Sequence, residues 1–294
     1  MSAPTRSGFI ALAGRPNVGK STLANAIVGA KVAIVSDKPQ TTRRAIRGVA
    51  SGPDWQLVLV DLPGVQRPRD ALTTRMQRRV EQELEDADGC LFVVNAQEGI
   101  GPGDRFIATL LKPARIPVVI AVNKVDRADR AGTAAALQAA AELDVAEEIF
   151  PVSARTGSGV RTLVDSLVGL LSPGPFYFEP RQLSDQSERV WLAELIREQV
   201  LARTREEVPH AVEVVVEGVE RGVPVRIEAV VLAETESQKR ILIGAGGQMV
   251  KSIGIAARRA IERELGERVH LALSVRVRRH WRADEQLLDR LGIE

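Results

Sequence analysis

The chain is nearly free of cysteine, with Cys90 alone among 294 residues. A disulfide framework is therefore excluded, and with only 3 histidines no Cys/His metal cluster can be assembled. Cys90 itself sits in the apolar stretch GCLFVVNA and reads as a core residue of a buried strand. Aromatic residues make up 3% of the chain, which leaves no platform on which an RNA-recognition motif could stack bases. Long apolar runs are missing too. The longest are short strands, far below the span of a bilayer helix. The first residues, MSAPTRSG, lack the apolar stretch of a secretory signal. These absences lead us to expect a cytoplasmic protein. What is present is ordinary globular composition, 45% hydrophobic and 27% charged, in a chain long enough to split into two cores.

The first half carries a phosphate-binding signature. Gly14-Arg15-Pro16-Asn17-Val18-Gly19-Lys20-Ser21 fits GxxxxGK[ST] and lies between an apolar strand, Phe9 to Ala13, and a helix beginning near Lys20 and Thr22. Gly14 and Gly19 let the backbone curl so that its N–H groups face phosphate oxygens, and the helix N-terminus adds partial positive charge. Lys20 can reach the β- and γ-phosphates, and the Ser21 hydroxyl can ligate Mg²⁺. Asp61-Leu62-Pro63-Gly64 closes a second apolar strand, Leu57 to Val60. An aspartate there can hold Mg²⁺ through water, and the Gly64 N–H can sense a γ-phosphate. Asn123-Lys124-Val125-Asp126 closes the run Pro117 to Val122. The Asp126 carboxylate can accept from both the N1–H and the exocyclic amine of guanine. Adenine lacks that donor pair and would leave the carboxylate desolvated and unpaired. Ser153-Ala154-Arg155 follows the strand Glu148 to Val152 and can offer backbone N–H groups to the guanine O6. All four motifs fall at the C-terminal ends of expected parallel strands, where open α/β sheets bind ligands. GTP or GDP with Mg²⁺ is the ligand set this pattern implies.

Strand and helix alternate over residues 1–172, with helices expected over Leu72 to Ala87, Asp104 to Leu111, Ala131 to Leu143 and Val160 to Leu171. The expected fold is a doubly wound, mostly parallel α/β sheet of the P-loop GTPase kind. Residues 173–182, rich in proline, read as a linker whose Phe176, Tyr177 and Phe178 dock it onto a domain. Residues 183–294 form a second unit. It contains a helix from Glu188 to Arg205, strands Ala211 to Val219 and Val223 to Ala233, the run Ile241 to Ile243, and the cluster Gly244-Ala245-Gly246-Gly247. A helix Met249 to Leu265, a strand His270 to Val277 and a short helix Asp284 to Leu291 complete it. An αββααβ order with GxxG between its two central helices is that of a smaller α+β, type II KH fold. From Arg181 to Glu294 the chain is neutral, with 19 basic and 19 acidic residues, but Lys239 to Arg282 holds 11 Lys or Arg against 3 Glu. KH domains clamp about four nucleotides of single-stranded nucleic acid on the GxxG turn. Gly244, Ala245, Gly246, Gly247, Lys251 and Arg258 are accordingly the expected RNA contacts, with Lys239, Arg240, Arg259, Arg276, Arg278, Arg279 and Arg282 adding positive charge nearby.

With both halves read, the chain resembles the Era family, bacterial GTPases with a C-terminal KH domain, over essentially its whole length. The matching stretches are GRPNVGKSTLANAIVG, KPQTTRRAIRG, DLPGV, NKVD, VSARTG and IGAGGQMVKSIGIAAR, with VPHAVEV before the last and RVRRHWR after it. The resemblance implies a GTPase that binds the 3′ end of 16S ribosomal RNA and assists late assembly of the small (30S) ribosomal subunit. It also implies occasional peripheral association with the inner membrane. No stable protein partner is implied. Family members commonly carry a basic residue after the first glycine of GxxG. Ala245 stands there instead, which shifts the grip on phosphate toward Lys251, Arg258 and the backbone.

The first switch is expected in KPQTTRR, with Thr42, or failing it Thr41, closing over Mg²⁺ and the γ-phosphate. Many GTPases place a water-orienting glutamine directly after DxxG. Val65 occupies that position, so slow intrinsic turnover is expected. Asn17 is read in two ways: as a ligand-side partner for K⁺ beside the phosphates, or as a residue that only stabilises the loop turn. Two rival functions are weighed against the Era reading. One is a signalling GTPase whose C-terminal domain docks proteins rather than RNA. The other is a constitutive RNA-binding module that hardly turns nucleotide over.

Overall fold

A computed structural model describes residues 5–38, 40–64 and 70–293. The first part is built from β1 (Arg6–Ala13), α1 (Lys20–Val28), β2 (Ile46–Ser51), β3 (Trp55–Asp61), α2 (Ala71–Asp86), β4 (Gly89–Asn95), α3 (Pro102–Leu111), β5 (Val118–Asn123), α4 (Arg130–Ala141), β6 (Glu148–Pro151) and α5 (Val160–Leu170). Its six strands run in the order β2-β3-β1-β4-β5-β6, parallel except for β2. Helices cover both faces, which explains why β4 and β5 are buried at every residue and read as continuous apolar runs. The strand order reverses at β1. The loop after β1 therefore opens into the crevice where such sheets take ligands.

The second part comprises α6 (Glu188–Arg203), α7 (Val208–Ala211), β7 (Glu213–Glu220), β8 (Val225–Ala233), α8 (Glu236–Ile243), α9 (Gln248–Leu265), β9 (Val269–Val277) and α10 (Glu285–Arg290). Its sheet has the order β7-β8-β9, with β7 antiparallel and β9 parallel to β8. Leu192, Leu195, Ile196 and Val200 of α6 and Ile253, Ala257 and Ile261 of α9 pack on Val214, Ile227 and Val231. Along β9 every second residue stays exposed, as expected where one sheet face meets solvent. This is the αββααβ KH arrangement.

Residues 172–187 lie against the first sheet. The Ser7 N–H donates to the Ser172 carbonyl at 3.2 Å. The side-chain oxygen of fully buried Gln56 accepts from the N–H groups of Tyr177 and Phe178 at 2.8 and 2.9 Å. Phe9 and Tyr177 rings stand 4.8 Å apart, so of the three aromatics Tyr177 meets the sheet with its ring, and the backbone bonds to Gln56 hold the rest. The open edge of β2 is covered as well, where the Val49 N–H donates to the Leu183 carbonyl at 2.8 Å.

Three boundaries in the second part differ from expectation by two residues, the other strand and helix boundaries named there by no more than one. The strand expected from Ala211 begins at Glu213, because residues 208–211 close a helical turn with proline in its first turn. The strand expected from Val223 begins at Val225, because Pro224 has no N–H to give the ladder. The helix expected to reach Arg205 ends at Arg203, where the Thr204 hydroxyl turns back to the Val200 carbonyl at 2.8 Å. The end of the described chain returns to the first sheet's side. Trp281, Leu288, Leu291 and Ile293 form one apolar cluster with Leu72 and Met76 of α2.

Candidate functional site: a nucleotide cleft and a groove on the second domain

The loop Gly14–Ser21 needs glycine at two places. Gly14 has φ +152°, and a Cβ there would lie 2.5 Å from the Val93 carbonyl oxygen. Gly19 has φ +101°, and a Cβ would run into the Asn123 side-chain amide. The resulting curl buries Lys20. Its ammonium donates to the carbonyls of Gly14 and Arg15 at 2.9 and 3.1 Å. Burial pulls its pKa down to about 8 against the opposing attraction of Asp61, so an anion arriving at this loop would stabilise the charged form. Ser21, Thr42 and Asp61 converge beside it. The Ser21 hydroxyl donates to Asp61 Oδ2 at 2.6 Å and stands 3.0 Å from the Thr42 hydroxyl, which itself reaches Asp61 Oδ2 at 3.4 Å. The second Asp61 oxygen is buried without a hydrogen-bond partner. Burial raises the Asp61 pKa, and Lys20 opposes that. A hard cation fits this set of oxygens and the orphaned carboxylate oxygen. Gly64 packs directly on Pro16, with a Cβ there 2.9 Å from the Pro16 nitrogen.

At the other end of the cleft a cavity of about 270 Å³ is lined by Thr22, Val35, Asn123, Lys124, Asp126, Ala154 and Arg155 among others. Asn123 fixes its walls. The amide donates to the Val18 carbonyl at 2.9 Å, and the side-chain oxygen accepts from the Ala154 N–H at 3.0 Å. Lys124 bonds the Asn17 carbonyl at 2.6 Å, and Ser153 donates to Asp126 at 2.7 Å. Asp126 is otherwise exposed. The Asn17 side chain donates to the Asp37 carbonyl at 2.7 Å, tying the phosphate loop to the segment before Thr42.

That segment is gripped by the second domain. Arg43 is buried, donating to Glu213 at 2.8 Å and to the Val212 carbonyl at 2.6 Å. Arg44 bonds Glu194 at 2.7 Å and the Leu291 carbonyl at 2.5 Å. Arg197, fully buried, pairs with Glu194 at 2.7 Å and donates to the Thr41 carbonyl. Burial would push Glu213 up, but Arg44, Arg43 and Arg197 together hold its carboxyl down at about 2. The helix α2 is held from the same domain: Arg75 pairs with Asp289 at 2.6 Å and with Glu285, and Arg282 pairs with Asp70 at the α2 cap.

On the outer side of the second domain, Gly244, Gly246 and Gly247 have φ of +72°, +57° and +78°. A Cβ on Gly244 would lie 2.7 Å from Met249 Cβ. The turn delivers the chain into α9, whose N-terminus has no side-chain cap, leaving N–H groups for an anion. A groove of about 380 Å³ runs from there between Val250, Lys251, Gly254, Ile255 and Arg258 on α9 and Leu271 and Leu273 on β9.

The family models that match are those of the 50S ribosome-binding GTPases over residues 9–124 and of the KH domain over residues 207–282. GTPase Era of Mycobacterium tuberculosis is 45% identical over 97% of this chain and 98% of its own. GTPase Era of Lactobacillus helveticus is 43% identical over 98% of this chain and 96% of its own. The chain belongs to the Era family of GTPases. Among solved structures, an Aquifex aeolicus Era variant bound to GDP and aluminium fluoride superposes with a TM-score of 0.93 at 34% identity, covering 98% of this chain and 99% of that one. Era in complex with MgGDPNP and nucleotides 1506–1542 of 16S ribosomal RNA superposes with a TM-score of 0.94 at 34% identity and the same coverage.

The residues expected from sequence for an Era GTPase fall into two groups in space. Gly14 to Thr22, Thr42, Asp61, Gly64, Asn123, Lys124, Asp126 and Ser153 to Arg155 gather at the cleft, while Lys251 and Arg258 line the groove and Gly244 to Gly247 form the turn that leads into α9 beside it. Between the two threonines the geometry favours Thr42, since the Thr41 hydroxyl is turned away to the Lys38 carbonyl at 2.6 Å. The Arg15 side chain points out of the loop, pairing with fully buried Asp104 at 2.8 Å, so only its backbone faces the cleft. The basic cluster also needs correction. Arg276 is committed to Glu217, Arg278 to Asp284 and Arg282 to Asp70. Lys239, Arg240, Lys251, Arg258 and Arg259 make no ion pair among the described residues. Val65 lies outside the described residues, as does Pro39 of KPQTTRR. Sequence reasoning missed the cluster of Arg43, Arg44, Glu194, Arg197 and Glu213. Its one local signal is a Glu and an Arg three residues apart, both buried in the apolar helix α6.

Proposed function

We propose that this GTPase is a nucleotide-controlled RNA-binding switch whose target is the 3′ end of 16S ribosomal RNA, acting in assembly of the small ribosomal subunit. The observation that carries the reading is the grip of the second domain on the segment around Thr42. Thr42 faces the phosphate loop while Arg43, the next residue, is buried in the domain that bears the groove. The Era complex with a 16S fragment supports the choice of RNA. In this reading Gly14 to Thr22 would cradle the phosphates, and Ser21, Thr42 and Asp61 would hold Mg²⁺, which would supply positive charge to the phosphate chain. Asn123, Lys124, Asp126 and Ser153 to Arg155 select guanine. Lys20 shifts its bonds from the Gly14 and Arg15 carbonyls to the phosphates. Gly64 reports on the γ-phosphate.

Intrinsic turnover is expected to be slow. Besides Val65 in place of glutamine, the arginines nearest the loop among the described residues are engaged elsewhere: Arg15 by Asp104, Arg43 by Glu213 and Arg44 by Glu194. None is placed as an arginine finger, which elsewhere raises the rate about 10³- to 10⁵-fold. A K⁺ ion near Asn17 would supply part of that charge, and turnover compared in KCl and NaCl tests it: equal rates remove the ion from the mechanism. In the groove, Lys251 and Arg258 meet the RNA backbone while Ile255, Leu271 and Leu273 meet bases. A cytoplasmic location and a weak contact of the unpaired α9 cations with anionic membrane complete the reading. No described helix is long and apolar enough to cross a membrane.

The deciding experiment is fluorescence anisotropy with an RNA carrying the 3′ end of 16S ribosomal RNA, on protein loaded with GDP or a non-hydrolysable GTP analogue. Tighter, sequence-dependent binding in the GTP-like state is expected. Equal binding in both states removes the switch and keeps the RNA. No specific binding in either state refutes the RNA reading in favour of a protein-docking domain.

A further inference from the structure

We infer that Glu198, on α6 of the second domain, is a positioning residue for guanine-nucleotide binding: it holds Val35 at the mouth of the base cavity. The inference rests on the nucleotide-site reading above. Val35 is a large apolar side chain left 43% exposed, and it borders both the phosphate end of the cleft and the base cavity beside Asn123, Lys124 and Asp126. A purine seated in that cavity would cover it. An exposed valine at this place is accounted for by what binds there.

The backbone carrying Val35 has no regular structure between α1 and β2, so a few hydrogen bonds decide where it lies. On the α1 side Asn25 fixes the N–H groups of Val32 and Ala33 at 2.8 and 2.9 Å. Beyond Ala33, among the described residues ahead of Arg43 and Arg44, two backbone groups are anchored by the other domain. The Val35 N–H donates to Glu198 Oε1 at 3.0 Å, and the Thr41 carbonyl accepts from Arg197. The Glu198 carboxylate is itself held firmly. Its other oxygen accepts from Lys31 at 2.6 Å and from the Gln199 side chain at 3.3 Å, and its side chain is 13% exposed. Glu194, Arg197 and Glu198 share one face of α6, so a single turn of that helix braces the base end and the metal end of the same segment.

The test is the rate at which a fluorescent GDP analogue leaves the full-length protein, for two nearly isosteric variants. Glu198→Met removes the acceptor, and release about tenfold or more faster is expected, the worth of one hydrogen bond to a charged acceptor. Glu198→Gln keeps an oxygen for the Val35 N–H and loses only the charge facing Lys31, so it should release within about twofold of wild type. Lys31→Met should behave likewise. Val35→Ala should also speed release, and adding Glu198→Met to it should have little further effect, as two steps of one mechanism require. Wild-type release from Glu198→Met, or equal acceleration by Gln and Met, overturns the inference. So does a loss of RNA affinity in nucleotide-free Glu198→Met relative to nucleotide-free wild type, which would mark general damage to α6. Failure of wild-type protein to retain guanine nucleotide at all would instead remove the nucleotide-site reading, and the inference with it.

Discussion

Removing one charge from the interdomain cluster, by Glu213→Gln, should destabilise the fold by about 3 kcal/mol at neutral pH. Glu213 is fully buried, 2.8 Å from Arg43, 3.6 Å from Arg44 and 3.8 Å from Arg197. Glutamine keeps its shape and withdraws its charge. Its carboxyl is held at about 2 rather than the ordinary 4.5, and at about 1.4 kcal/mol per pH unit this makes the charge worth about 3 kcal/mol. Breaking a buried pair from one side costs about 3–5 kcal/mol. The lower end applies here, because Arg43 keeps the Val212 carbonyl and Arg197 keeps Glu194. The sign of the pH dependence follows from the depressed folded pKa. The stabilisation is complete above 4.5 and is lost as pH falls toward 2. Urea unfolding followed by tryptophan fluorescence reads it, since buried Trp281 has the Arg43 guanidinium 5.4 Å over its ring. The variant should unfold at lower urea at pH 7, and its deficit should shrink steadily below about pH 4.5. A deficit within about 0.5 kcal/mol at pH 7, the scatter of surface substitutions, refutes the reasoning. A deficit that is undiminished at low pH refutes it as well.

Three further outcomes can be measured directly. Gly19→Ala forces an L-residue to φ +101° and pushes Cβ into the Asn123 amide, so calorimetry should show GDP affinity down by at least about tenfold, from about 1–2 kcal/mol of backbone strain alone. Thr42→Ala should raise the Mg²⁺ concentration needed for half-maximal turnover by about tenfold, while Thr41→Ala, whose hydroxyl serves Lys38, should leave it within about threefold. Lys251→Ala with Arg258→Ala should weaken RNA binding and flatten its dependence on log salt concentration by about 0.7 for each phosphate no longer neutralised, whereas Arg276→Ala, already paired with Glu217, should leave the slope unchanged.

What the sequence disclosed about this protein is what the local chain decides. A strand that ends in Asp61 or Asn123 is recognisable because the apolar run and the polar residue that closes it are adjacent, and parallel pairing then brings those ends to one edge. The GxxG turn is legible for the same reason, since positive φ at Gly244, Gly246 and Gly247 is a property of single residues. The pairing of charges is a different matter. Arg276, Arg278 and Arg282 count as free cations in a composition window, yet each is met by a carboxylate, two of them by partners remote in sequence. Periodicity states which side of an element faces outward and is silent about what arrives there. The same limit hid Glu194 and Arg197, which look like solvated interruptions of an apolar helix until Arg44 and the Thr41 carbonyl are placed against them.

Thr42 and Arg43 show why that missing layer matters for mechanism. Each residue type is ordinary by itself, and the TTRR run reads as a polar loop. In the fold the two side chains are committed in different directions, Thr42 toward Ser21 and Asp61, and Arg43 to Glu213 across the domain boundary. Consecutive Cα atoms are about 3.8 Å apart on a rigid peptide plane. A swing of Thr42 toward or away from a metal and phosphate therefore drags the Arg43 backbone, and a large one strains the bonds that hold the Arg43 guanidinium to Glu213 and to the Val212 and His210 carbonyls. The energy at stake in that pair, about 3 kcal/mol by the reasoning above, lies at the upper end of the coupling free energies found between linked sites. Linkage then demands the reverse effect as well. RNA that favours one docking of the second domain must shift nucleotide affinity by the same factor by which nucleotide shifts RNA affinity, and the two titrations, each run with and without the other ligand, must close the cycle.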